Sequence, residues 1–88
     1  MSEKKLIVNK CCNYELLNDE IIILNQETGK YHELNSTGKI IFSKIIEIQL
    51  SKKELIEKIN EEYKDNINIS EVDEFINDLF QRKIIFEQ

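Results

Sequence analysis

The chain has 88 residues, 41% of them apolar and 33% charged, which is one globular domain's worth. A domain this small buries only about 60% of its unfolded surface, enough for a compact core but not for a core plus a large active-site cleft. Its 12 basic against 17 acidic side chains, net -5, disfavour nucleic acid and anionic membrane surfaces.

The start, MSEKKLIVNK, carries charges but no long apolar segment or small-residue cleavage site, so no signal peptide is read there. No run approaches the ~18 apolar residues of a membrane span, so the expectation is a cytoplasmic protein. KKLIVNK reads as an extended lead-in. NYELLND then gives a first strand ending in an Asn-Asp turn, and EIIILNQ a second, apolar on both faces. ETGK follows as a turn, with Gly29 available for a positive φ, and KYHEL is the third strand. Three short strands joined by tight turns make an antiparallel meander.

Helices follow. The first starts where Leu34-Asn35 meets Ser36-Thr37-Gly38, with Asn35 or Ser36 as its N-cap. Ile40, Ile41, Phe42, Ile45, Ile46 and Ile48 nearly encircle it, which predicts a central, buried helix. Gly38 in its first turn suggests that another backbone passes close by. The second helix opens at a Ser51/Glu54 capping box and carries Leu55, Ile56, Ile59 and Tyr63 on one stripe. KDNINI connects to a third helix, capped by Ser70 and Asp73. Its stripe is Val72, Phe75, Ile76 and Leu79, with Phe80 beside it. KIIF, residues 83–86, is a short apolar tail. The expected fold is one α+β domain over residues 1–88, winged helix-turn-helix-like, a three-stranded antiparallel sheet followed by three helices.

No catalytic constellation is visible. His32 has no nucleophile or carboxylate arranged around it in the sequence. ETGK lacks the second glycine and the Lys-Ser/Thr pair of a phosphate loop. Adjacent Cys11 and Cys12 read as reduced thiols, and with one histidine they cannot build a four-ligand zinc site. The reading is a non-enzyme with no metal and no cofactor. A helix-turn-helix DNA reader fits poorly, because the third helix places Glu71, Asp73, Glu74 and Asp78 where a recognition helix needs cations.

A binding module remains. An open sheet edge accepts a guest strand from a peptide. A third strand beside the third helix makes a groove floored by Tyr31, Leu34, Phe75, Ile76 and Leu79, with Tyr31, Asp78 and Arg82 the more exposed. Leu34, Ile76 and Leu79 also suit the core. The acidic third helix suits a guest carrying Lys or Arg.

The joint ETGKYHELNSTGKIIF resembles the PqqD-like proteins, also called RiPP recognition elements. The resemblance rests on Leu34, Asn35, Thr37, Gly38, Ile41 and Phe42, extends through ELIEKINEEY and EVDEFINDLFQRKII, and covers roughly residues 14 to 86. The family commonly has Gly where Lys83 stands. The resemblance implies a domain that binds the leader peptide of a ribosomally synthesised, post-translationally modified peptide precursor. The leader adds to the third strand beside the third helix, and the precursor is presented to a modifying enzyme supplied in trans. That enzyme is of radical S-adenosylmethionine or lasso-type protease or cyclase kind. Carried over residue by residue, the strand contacts are Tyr31, His32 and Glu33 with Leu34 at the joint, and the helix contacts are Phe75, Asp78, Leu79 and Arg82. A non-catalytic assembly subunit of such an enzyme is the alternative, ahead of a winged-helix DNA-binding protein.

Overall fold

The computed structural model describes residues 4–63 and 65–88. Residues 1–3 of the start read for a signal peptide, and Lys64 at the head of the expected connection, lie outside them. The chain runs β1 (Leu6–Val8), β2 (Cys12–Leu16), β3 (Glu20–Asn25), β4 (Lys30–Asn35), α1 (Thr37–Glu47), α2 (Lys52–Tyr63), α3 (Ile69–Gln81) and β5 (Ile85–Glu87). The three expected strands are β2, β3 and β4, and they form the antiparallel meander in that order.

Alternation along β3 and β4 sorts the sheet's two faces. Ile21, Ile23 and Asn25 of β3 point to the helices with their cross-strand partners Leu34, His32 and Lys30. Ile22 and Leu24 point outward, opposite Glu33 and Tyr31. The continuous apolar run of β3 is thus buried on its inner face and half-covered on its outer one.

The lead-in and the tail are not separate ornaments. β1 pairs antiparallel with β5 in a two-stranded ribbon, Leu6 opposite Glu87 and Val8 opposite Ile85. Leu6, Ile84 and Ile85 enter the same buried cluster as Ile41, Phe42, Leu55, Ile59, Val72, Ile76 and Leu79. Nothing local in either three-residue segment specifies this pairing; the apolar residues find cover on each other, with β1 against α1 and β5 against α3.

Helix α1 departs from expectation in part. Gly38, Ile41, Phe42 and Ile45 are buried, but Ile40 and Ile46 are only partly so, and Ile48 lies beyond the helix end, 40% exposed. The helix still packs centrally, against β4, β1, α2 and Phe75 of α3, with its Ile40 and Ile46 side only partly covered. Its N-cap position is Ser36, with φ 45° and no side-chain cap hydrogen bond, because that left-handed backbone does not set the hydroxyl over the first turn. The side chain of Asn35, the other expected cap, lies outside the described residues.

The Ser51/Glu54 box forms as read. Glu54 Oε1 accepts from the Ser51 N–H at 2.9 Å and Ser51 Oγ accepts from the Glu54 N–H at 3.1 Å. The cap of α3 sits two residues upstream of its expected place. Asn68 Oδ1 accepts from the Ser70 N–H at 2.9 Å, which frees Asp73 to pair with Lys52 at 2.8 Å and tie α3 to α2.

The far end of α3 is a Schellman turn. The Lys83 N–H donates to the Phe80 carbonyl and the Ile84 N–H to the Leu79 carbonyl, both at 3.0 Å, with Lys83 at φ 60°. A lysine therefore holds the left-handed conformation that glycine adopts freely, at a cost of about 1 kcal/mol. Lys83→Gly is expected to stabilise the fold by about 1 kcal/mol, read as a rise in the urea midpoint with unchanged slope.

Glu54 also pairs with Lys5 at 2.9 Å. The Ser51 N–H first, and then Lys5, hold its carboxyl down from 4.5 to about 2. The stabilising carboxylate is fully present above pH 4.5 and is lost as pH falls towards 2. Glu54→Gln should flatten the pH dependence of the urea midpoint across that window and lower the midpoint by a constant amount at neutral pH.

Candidate functional site: the β4 edge and helix α3

Among the described residues β4 pairs with β3 on one side only, so its other side is an open edge. Among the described residues α3 lies beside that edge. Two contacts fix their spacing. At one end, Gly38 lets the ring of Phe75 approach: a Cβ on Gly38 would stand 2.9 Å from Phe75 Cε2 and 3.4 Å from Leu34 Cβ. The close approach is thus to a side chain of α3, not to the neighbouring backbone anticipated from the sequence.

At the other end, Arg82 Nη1 donates to His32 Nδ1 at 3.1 Å, and Arg82 Nε donates to Asp78 Oδ2 at 2.9 Å. Because a guanidinium only donates, the imidazole proton stands on Nε2. That Nε2 is buried and has no partner among the described residues. Burial, then the charge of Arg82, pushes the His32 imidazole below its usual range, with Lys30 adding to this and Asp78 opposing it. His32 is neutral at pH 7 as a result.

Beneath this end lies a buried hub. Asn25 is fully buried; its Nδ2 donates to the carbonyls of Arg82 and Lys83 at 3.1 and 3.2 Å. Its Oδ1 accepts from the Glu27 and Thr28 N–H groups at 2.9 and 3.3 Å. One side chain thereby joins the β3–β4 turn, which contains Gly29 at φ 75°, to the end of α3. Asn9 Nδ2 adds a 2.8 Å bond to the Lys83 carbonyl.

The sequence model described as Coenzyme PQQ synthesis protein D (PqqD) matches residues 20–85, well over half of the chain. The chain belongs to the PqqD family. Among solved structures, the complex of TbiB1 with the TbiA(beta) leader peptide shares this fold, with a TM-score of 0.73 and 22% identity over 90% of this chain and 93% of that one. No curated protein matches the chain.

In this PqqD-family chain the eight residues read from the sequence fall into distinct settings. Tyr31 is 71% exposed and Glu33 is exposed, both on the outer face of β4. Glu33 hydrogen-bonds Glu20 and pushes that carboxyl up, so two acids stand together at the strand's outer side. Phe75 and Asp78 are half-buried and Arg82 exposed on the wall formed by α3. His32 lies between sheet and helix. Leu34 and Leu79 are buried, with Ile76, in the core beneath the groove; they set its floor from below and present little surface. Asp78 is already paired with Arg82, which removes the free carboxylate expected to attract a basic guest. Sequence reasoning missed Asn25 and Lys30. The only signal for Asn25 was a polar residue at an inward position of an otherwise apolar strand.

Gly38→Leu should destabilise the protein by about 1–3 kcal/mol in urea titration, because the added side chain must displace Phe75 and Leu34. An unchanged midpoint would mean that Phe75 does not rest on Gly38.

Proposed function

We propose that this chain binds the leader peptide of a ribosomally synthesised, post-translationally modified peptide precursor. The leader adds as a strand to the open edge of β4 and packs its inward side chains against α3. The chain then presents the precursor to a separate modifying enzyme, of radical S-adenosylmethionine or lasso-type protease or cyclase kind, and catalyses nothing itself. The observation that carries this reading is the pairing of an unpaired strand edge with a neighbouring helix that leaves Phe75 half-exposed. Membership of the PqqD family, and a structural relative that was solved holding a leader peptide, support it.

The physical case is direct. Main-chain pairing with β4 supplies affinity that tolerates sequence variation, and side-chain pockets supply selectivity. Guest side chains alternate. Those facing out pass Tyr31 and Glu33, and those facing in pass Phe75, Asp78, Arg82 and the floor over Leu34 and Leu79, with His32 beneath. Two or three apolar anchors at ~1.5–3 kcal/mol each, less the cost of ordering the guest, give binding in the micromolar range or tighter.

The test is calorimetric titration of the isolated protein with a synthetic leader taken from the precursor encoded beside it. Saturable binding without the enzyme is expected. Phe75→Ala should weaken it about tenfold or more. Tyr31→Ala should weaken it with little change in melting temperature, because that side chain is exposed. No binding into the hundreds of micromolar would instead favour a subunit that contacts only its enzyme.

A further inference from the structure

The groove beside β4 is not uniform along its length. At the Leu34 end its wall is the ring of Phe75. At the other end a cavity of about 180 Å³ is lined by Thr28, Lys30, His32, Gln81, Arg82 and Lys83. Three of these six side chains are cations and none is an acid, in a chain whose net charge is -5. Asp78, one turn before Arg82 on α3, is engaged by Arg82 Nε. The positive field is felt locally: both Arg82 and Lys30 help to keep His32 neutral.

The backbone that carries two of the cations is fixed in place. Asn25 holds the carbonyls of Arg82 and Lys83, and the Schellman turn sets the backbone from which both side chains leave. His32 also lines this cavity: its Nδ1 accepts from Arg82, while its Nε2 is buried away from solvent with no partner among the described residues.

The cavity is smaller than the ~300 Å³ or more of pockets that enclose a metabolite or cofactor. It suits one side chain. Resting on the leader-binding reading above, we propose that this cavity is a subsite for a carboxylate side chain, Asp or Glu, of the guest peptide. Lys30 and Arg82 hold the carboxylate by charge-assisted hydrogen bonds, with Lys83 and the polar groups of Thr28 and Gln81 around it. The guest is therefore read at two places, by an apolar anchor against Phe75 and by an acid towards the turn between β3 and β4. The spacing between the two also fixes the guest's direction along β4.

The experiment is selection from a displayed library of random 12-residue peptides on the full chain, on Lys30→Glu and on Arg82→Gln. Counter-selection on Phe75→Ala keeps only peptides that use the groove. Peptides selected on the unaltered chain should carry Asp or Glu at a fixed spacing from an apolar residue. Replacing that acid by its amide should weaken binding about tenfold. Lys30→Glu, whose side chain is exposed and makes no bond the fold needs, should abolish the acidic preference or turn it to Lys or Arg; Arg82→Gln should reduce it. Groove-dependent peptides with no acidic position, or an acidic position that survives in both variants, would overturn the inference while leaving leader binding intact. Recovery of no Phe75-dependent peptide would overturn the leader-binding reading and this inference with it.

Discussion

The geometry of the β4–α3 groove depends on Asn25. A fully buried amide with both ends bonded is stabilising only while every partner stays in place, because each abandoned carbonyl or N–H then stands buried and unpaired. Its four partners belong to the β3–β4 turn and to the end of α3. The helix is therefore registered against the sheet at one end by polar bonds. At the other end it is registered by a packing contact, the Phe75 ring over Gly38. Between these two ends, Leu34 of β4 and Val72, Ile76 and Leu79 of α3 share the buried core.

The two ends differ in chemistry, and that difference gives the groove a direction. Apolar contact is non-directional and tolerant of shape, so Phe75 alone accepts many anchors. The Lys30, His32 and Arg82 end carries the cations on which the proposed acid subsite rests, and charge-assisted hydrogen bonds there would penalise the wrong group strongly. A strand edge by itself pairs with almost any extended chain. Acidic Glu20 and Glu33 on the outer side of the edge add a further filter against acidic guest residues facing outward.

Much of this was legible in the sequence. The meander, the three helices, the Ser51/Glu54 box and the Gly29 turn all follow from local chemistry, where periodicity and turn residues decide. What failed was long-range. The β1–β5 ribbon joins residues from the two ends of the chain and leaves no local mark. The apolar surround of α1 looked fully buried because Ile40, Ile46 and Ile48 carry no sign of which face the fold will cover. The cap of α3 moved because the helix starts earlier, at Ile69, so that Asn68 takes the N-cap place and accepts from the Ser70 N–H. Within the site, the exposure of Tyr31 and Arg82 followed from simple alternation and helical spacing, but Tyr31 lies on the outer face of β4 and not on the groove floor expected for it, and Asp78 is half-buried. The His32–Arg82 bond and the bond from Asn25 to the Arg82 carbonyl join residues 50 and 57 apart in sequence and required the fold.

The most direct measurement is amide hydrogen exchange, resolved by residue, of the protein with and without a saturating synthetic leader peptide. An added strand must bond to the open edge, so the account predicts new protection on edge-facing amides of β4, together with shifts along α3 from Phe75 to Arg82. Unchanged exchange across β4, or protection appearing on the opposite edge strand β2, would contradict strand addition at β4.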